Sequence, residues 1–513
     1  MLRYYIIAFF SGAAVLMLEV LGARIIAPYL GTSFFVWVNV IGVILASLSC
    51  GYWLGGVLAD KNQRLLPWLF LFGAFFVIAI LPGRALIPYA AALGIRAGSL
   101  VASLYLFAAP SLVLGMVSPY LIKLVARDMD RLGKTSGSMF ALSTIGSIAG
   151  TFITGFWLVP MFAISQLLWG LGGGLVTLAG LSLERRKSRV AIIALGLAIA
   201  VIGPLAQERF GNTEKNSRVI FEKNSRYYNI RVHDAPTADG AVVRTLLLDG
   251  STQSAKFLAK PQINANSNAD ELGLEDRLFP YTYIELSAKL ISALAPNPAS
   301  LLAIGGGGYS IPEYVKTQSP HADVTVVEID PKVTETAQRF FLHDPGIAIQ
   351  TIAEDGRTFL NNNRETFAVV YTDAYSGAFS VPGHLASREA FLLMEHALSE
   401  DGVLIMNIAS ALEGERGILF RSLWKTFDDI FPHKIILATA PRTPASSQNI
   451  IVVAAKQPAA LNAQALQKFE SWRYKKTPDT SDVASLTDEY APTDHLVESL
   501  VADVYPYLRA YHQ

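Results

Sequence analysis

The chain has 513 residues, 52% of them hydrophobic, and 42 Lys+Arg balance 42 Asp+Glu. That balance hides a split: residues 1–206 carry 14 Lys+Arg and 5 Asp+Glu, and the remainder carries 28 and 37. The single cysteine, Cys50, excludes a disulfide framework or cysteine zinc site within the chain. Histidines without ligand spacing predict no metal site, and the absence of a basic stripe with interleaved aromatics predicts no nucleic-acid partner.

Apolar stretches recur near residues 4–27, 35–58, 65–83, 98–122, 137–159, 163–183 and 190–206. Most approach the roughly 20 residues a helix needs to cross a bilayer, so residues 1–206 read as a transmembrane domain of about seven helices in a cell (inner) membrane. The first stretch is too long, and followed by too many others, to be a cleaved signal. "ALIPYAAALGI" (85–95) is too short to cross alone and could be re-entrant, interfacial or part of an eighth span. Pairs such as Gly51 with Gly55 and Gly146 with Gly150 predict close helix packing. Glu19 stands inside the first span, either as a functional carboxylate or paired with Arg24 or a neighbouring helix.

Lys61 and Arg64, then Lys123, Arg127, Arg131 and Lys134, then Arg185, Arg186, Lys187 and Arg189 fall in alternate loops. With Arg3 they place the N-terminus in the cytoplasm. Seven crossings would then put the C-terminal half outside, against the cytoplasmic placement its substrate implies. Either 190–206 does not cross, or 85–95 adds a crossing, or the domain is extracytoplasmic.

Residues 207–224 read as a polar linker. "YYNIRVHDA" and "VVRTLLLDG" alternate with strand periodicity and predict a β-hairpin subdomain over 225–258. Residues 259–277 read as an exposed polar insertion, and 281–295 as a helix. The rest of 259–513 alternates buried apolar strands with helices and predicts a Rossmann-like doubly wound sheet. Ligands bind such sheets beyond the carboxyl ends of the strands. Four features fall there: the glycine turn Gly305, Gly306, Gly307 and Gly308; Glu328 after strand two; Asp355 and Gly356 after strand three; and Asp373 after strand four. Glycines at a helix start admit a ligand to backbone amides, and an acid about 20 residues on commonly takes a ribose. A nicotinamide fingerprint would need a glycine where Ser310 stands. His384 reads as a packing or helix-entry residue.

"YYNIRV", "LLLDGSTQS", "LLAIGGGG", "VVEIDPKV", "AEDGRTFL" and "VVYTDAYSG" resemble, in order and spacing, the spermidine synthases (polyamine aminopropyltransferases) over roughly 225–440. The opening "SGAAVLMLEVLGARIIAPYLGTS" and "LTDEYAPTDHL" (486–496) resemble bacterial fusions of a membrane segment to such a domain. The resemblance implies transfer of an aminopropyl group from decarboxylated S-adenosylmethionine to an amine such as putrescine, with no tightly bound cofactor. It implies that Glu328 holds the ribose, that Asp355 beside Gly356 accepts from the adenine amino group, and that Asp373 is the base. It further implies that Tyr283 orients the base or the amine. Asn229, Gln253, Tyr375 and Ser376 would line the substrate pocket. A homodimer is a candidate assembly.

The chain departs from that pattern twice. The synthases carry an acid after the third glycine and a second acid in the loop after strand four; here the positions hold Gly308 and Ser376. Losing two charge-assisted bonds costs about two to four decades of affinity unless Glu313, Glu354 or Asp488 substitutes. Two rivals therefore stand beside aminopropyl transfer: methyl transfer from S-adenosylmethionine, and a non-enzymatic polyamine transporter or sensor.

Overall fold

The structure, a computed structural model, describes residues 2–30, 33–62, 64–126, 132–210, 218–237, 240–260, 278–344, 346–375 and 380–500. Ser376, Arg127, Arg131, linker residues 211–217 and residues 261–277 of the predicted insertion lie outside the described residues. The chain divides into two units. One is helical and also takes in Lys223–Tyr228; the other is α/β and holds Asn216–Glu222 and Asn229–Pro506.

Among the described residues, seven helices are long and apolar enough to cross a membrane: Leu2–Leu30, Phe34–Lys61, Leu66–Ala91, Gly94–Val125, Leu132–Met161, Ile164–Ser182 and Arg186–Gln207. Segment 85–95 adds no separate span. Its first half lengthens the third, where the helix tightens to a 3-10 turn over Arg84–Leu86 just after Pro82 and resumes at Ile87–Ala91. Its last two residues open the fourth, which starts at Gly94 with φ +86°. The final helix continues to Phe210, so the first residues read as linker are helical.

Glycines set the closest approach in this unit. A Cβ on Gly150 would stand 2.6 Å from the Ala13 carbonyl oxygen, and one on Gly146 would overlap the carbonyl of Phe9. Residues 9 and 13 of the first span thus meet 146 and 150 of the fifth in the same order, and the two helices run parallel. With no hydrophobic drive between helices in lipid, such backbone contact is what holds them.

The α/β unit begins with a four-stranded antiparallel sheet in the order β1-β2-β3-β4. Its strands are Arg218–Asn224, Asn229–Pro236, Val242–Leu248 and Ser251–Ala259. The predicted hairpin is thus enlarged by a strand at each end. Asp249 (φ +47°) and Gly250 (φ +76°) close the β3–β4 turn, the left-handed pair that a two-residue hairpin demands.

The second sheet has seven strands in the order β10-β11-β9-β8-β5-β6-β7. They are β5 (Ser300–Ile304), β6 (Asp323–Val327), β7 (Gln350–Ile352), β8 (Phe367–Thr372), β9 (Leu398–Ser410), β10 (His433–Ala438) and β11 (Gln448–Ala455). Strands β5 to β9 pair in parallel, and β11 and β10 close the edge antiparallel. Both faces are covered. Leu302, Ile304, Val370 and Leu404 enter one core; Leu301, Ala303, Val369 and Ile405 enter the other. This explains the near-continuous apolar runs. Strand β5 lies between β6 and β8, so its connections leave in opposite directions and open a crevice at the β5 and β8 ends.

Replacing Gly146 by Val should overpack the first and fifth spans, costing about 1–3 kcal/mol and lowering the melting temperature in detergent. Gly42→Ala is the control, since nothing lies within 4 Å of a Cβ there. Equal melting of the two variants would refute the packing assignment.

Candidate active site

The turn after β5 is built for close approach. Gly305 (φ +92°) and Gly307 (φ +49°) take left-handed conformations. A Cβ on Gly305 would stand 2.7 Å from the Asp373 carbonyl oxygen, so the ends of β5 and β8 nearly touch. Tyr309 is also left-handed, at φ +61°. Its buried ring packs against Gly306, and its hydroxyl meets the Thr334 hydroxyl at 2.9 Å. That anchoring offsets the strain of a non-glycine residue there and starts the helix Ser310–Gln318.

Glu328 follows β6 and is buried. It accepts from the Gly306 amide at 2.8 Å and the Asp330 amide at 3.0 Å. Burial raises its pKa against the pull of those amides. The Gly307 amide bonds it as well, so it fixes the glycine turn through three amides and keeps about one of its four acceptor sites.

Asp355 caps the helix Gly356–Asn362 by accepting from the Thr358 amide at 2.9 Å, and its other oxygen meets His384 Nε2 at 2.9 Å. Burial works to raise its pKa, but the Thr358 and His384 bonds together hold it below the usual value. A Cβ on Gly356 would stand 2.7 Å from the Ile304 side chain, which brings this helix start to the end of β5.

Asp373 is the most elaborately held of the predicted residues. Asn407 donates to it at 2.8 Å and the Tyr371 hydroxyl at 3.1 Å, and Tyr283 donates as well. Asn449 donates to the Asn407 side-chain oxygen at 3.1 Å, which orients the Asn407 amide. Burial outweighs these donors and pushes the Asp373 carboxyl up to about 6. Burial, together with the Asp373 charge, raises Tyr283, Tyr371 and Tyr375 well above the phenol range, so all three keep their protons. A carboxylate offers about four acceptor sites; three are used, and one is left for a further donor.

The elements that deliver these groups are fixed locally. Glu285, fully buried, accepts from the Leu278 and Phe279 amides at 2.8 and 3.1 Å. That sets the entry of the helix Thr282–Leu294, where Tyr281 stacks on Tyr283. The Tyr375 hydroxyl donates to the Asn407 carbonyl at 2.9 Å and accepts from the Ala409 amide at 2.8 Å. The loop after β8 is thereby tied to β9.

Gly305, Gly306, Gly307, Glu328, Tyr283, Asp373, Tyr375, Asp355 and Gly356 thus converge on one end of the sheet. Gln253 comes to the turn by its main chain: its carbonyl oxygen is 3.8 Å from a Cβ on Gly307. Asn229 is engaged elsewhere, with its amide on Asp249 at 2.8 Å and its side chain on Glu222 at 3.1 Å. Two of the three proposed substitute acids are also committed. Glu313 accepts from the backbone amide and Nδ1 of His343. Asp488 is gripped by Arg357 and by Ser387 at 2.6 Å.

Sequence reasoning missed Tyr371, Asn407, Asn449, Ser254 and the His384–Asp355 bond. One signal was available: Asn407 is the single polar residue in the apolar run "VLIMNIA". Gly308 is buried, and a Cβ there would strike the Ser254 side chain, standing 2.7 Å from its Cβ. Among the described residues, no group of three or more His, Cys, Asp or Glu could hold a metal ion.

A glycine turn, an acid after β6 and a held carboxylate after β8 stand together at the switch point of a doubly wound Rossmann-like sheet, where ligands bind. Residues 280–464 match the family model for the spermine/spermidine synthase domain. The polyamine aminopropyltransferase of Vibrio vulnificus is 27% identical over 235 residues, 42% of this chain and 75% of that protein. That of Streptococcus pneumoniae serotype 4 is 24% identical over 238 residues, 45% and 73%. A probable spermidine synthase from Corynebacterium glutamicum aligns with TM-score 0.41 and 16% identity, covering 53% of this chain and 97% of that one. The C-terminal part of this chain is thus similar to the spermidine/spermine synthase family of polyamine aminopropyltransferases, and the apolar helical region lies outside the matched residues.

Two outcomes follow from this geometry. If Asp373 acts as a base, kcat/KM rises with pH through about 6. Asn407→Ala removes a donor to the anion, and a lost bond of about 1.5–3 kcal/mol should move that limb upward by about one to two pH units. An unmoved limb would sink the assignment. Gly308→Asp, which would restore the acid of the synthases, should instead lower the melting temperature by driving β4 off the turn, at about 1–3 kcal/mol. Unchanged melting would show that Ser254 yields freely.

Proposed function

We propose that the α/β unit is a membrane-anchored aminopropyltransferase, moving the aminopropyl group of decarboxylated S-adenosylmethionine to an amine such as putrescine. The observation that carries this reading is Asp373, held by three donors with an acceptor site to spare, beside the glycine turn and Glu328.

A primary amine is protonated at neutral pH and cannot attack carbon. Asp373 attracts the ammonium and takes its proton. The amine nitrogen then bonds to the propyl carbon attached to the sulfonium as the bond from that carbon to sulfur breaks. The electron pair goes to sulfur, so the sulfonium becomes the neutral thioether methylthioadenosine. Tyr283 and Tyr371, both protonated, keep Asp373 aimed. Glu328 takes the ribose hydroxyls, and Asp355, oriented by His384, takes the adenine amino group. Positioning amine and carbon in line supplies much of the rate.

One observation favours a second reading. The position that carries an acid in the synthases is Gly308, packed against Ser254, and two of the three substitute acids are committed elsewhere. Such a site repels a donor carboxylate less, which suits methyl transfer from S-adenosylmethionine. Full-length protein in detergent, given both donors and putrescine, decides by mass spectrometry. Methylthioadenosine supports aminopropyl transfer; S-adenosylhomocysteine alone overturns it. Asp373→Asn should lower turnover about 10²–10⁴-fold while methylthioadenosine still binds by calorimetry. Retained turnover removes Asp373 from the base role.

A further inference from the structure

The described spans contain two acids. Asp60 pairs with Lys123 at 2.7 Å. Glu19 makes no hydrogen bond or ion pair among the described residues. The nearest cation along its helix, Arg24, turns away and donates to the main-chain carbonyls of Tyr227, at 2.5 Å, and Arg226. Arg3 and Arg24 bracket a run of about 31 Å of helix, which matches the hydrocarbon thickness. Glu19 lies about 7 Å inside the Arg24 end. A lone carboxylate at that depth is costly unless it loses its charge or meets a cation.

Glu19 is two helical turns past Gly12 and shares its face. Gly12 meets the fifth span: its carbonyl accepts from the Ser147 hydroxyl at 3.0 Å, and a Cβ on it would stand 2.8 Å from the Ser143 carbonyl carbon. On that parallel helix, Gly146, Gly150 and Thr154 form a stripe at four-residue spacing. Thr154 therefore sits at the depth of Glu19. It is fully buried, its hydroxyl has no partner among the described residues, and it opens a π-helical turn, Thr154–Leu158. Such turns recur at functional sites.

The fourth span supplies a second such group. Its stripe Ser103, Phe107, Ser111 faces the first span, where the Phe107 ring lies 3.4 Å from a Cβ on Gly22. The helices run antiparallel here, so Ser111, one turn beyond Phe107, is level with Leu18. Ser103 and Ser111 are 0% and 1% exposed, and neither hydroxyl has a partner among the described residues.

We propose that Glu19, Thr154 and Ser111 form a binding site for an alkylammonium ion inside the helical unit. One carboxylate balances one positive charge, and the two hydroxyl oxygens add neutral acceptors. An ammonium presents three N–H donors to them. A divalent ion needs a fuller oxygen shell, and no three-ligand group is present among the described residues. The choice of an amine over an inorganic monovalent ion rests on the transferase reading; the site itself does not.

The test uses full-length protein in nanodiscs and labelled putrescine, with thermal melting of the same preparations as evidence of folding and methylthioadenosine formation from decarboxylated S-adenosylmethionine assayed separately. Two classes of putrescine site are expected. Glu19→Gln should weaken one class roughly ten- to hundredfold, and Thr154→Val, nearly isosteric, should weaken the same class. Unchanged isotherms in both variants overturn the proposal. Sodium chloride abolishing that class at constant ionic strength, with choline chloride inert, overturns the amine in favour of an inorganic cation. Glu19-dependent binding without methylthioadenosine formation overturns the transferase reading alone.

Discussion

A carboxylate taken out of water must be matched by donors or surrender its charge. Asp373 is matched by groups from three separate elements: Tyr371 from its own strand, Asn407 from β9 and Tyr283 from the helix before β5. These can meet only if β8 lies beside β9 in parallel register and the helix Thr282–Leu294 covers the same face as Tyr371. The seven-stranded sheet provides both conditions. Asn449 extends the chain of bonds to β11, so an antiparallel strand on the far side of β9 still helps to set the angle of the Asp373 carboxylate.

The succession of strands along the chain and the four strand-end features were legible because a doubly wound sheet writes itself as alternating apolar runs and loops. Gly305, Glu328, Asp355 and Asp373 stand where such runs end. The supports of Asp373 were not legible. Tyr371 and Asn407 lie inside strands, where a tyrosine reads as core and an asparagine as an exception. Their partner becomes visible only when the register of β8 against β9 is known. The same limit explains Glu313 and Asp488. Both were plausible replacement acids by type, yet His343 and Arg357 already hold them, through pairings 30 and 131 residues apart in sequence. His384 read as packing because its partner, Asp355, lies 29 residues earlier in another loop.

The two units treat carboxylates in opposite ways. In the α/β unit, burial outweighs the donors around Asp373 and lifts its carboxyl to about 6. In the helical unit, the local cation that could have neutralised Glu19 is turned onto backbone carbonyls. Close packing of glycines on the first and fifth spans brings a fully buried threonine to the same depth instead.

The contact between Gly308 and Ser254 bears on how such a sequence can change. A side chain at 308 has no room while Ser254 keeps its Cβ, so the two positions, one in the small sheet and one in the turn, cannot vary independently. Space would have to be cleared in β4 before an acid could enter the turn. That clearing step would bring no benefit to donor recognition by itself. A route to an acid at 308 therefore passes through a paired change at 254 and 308.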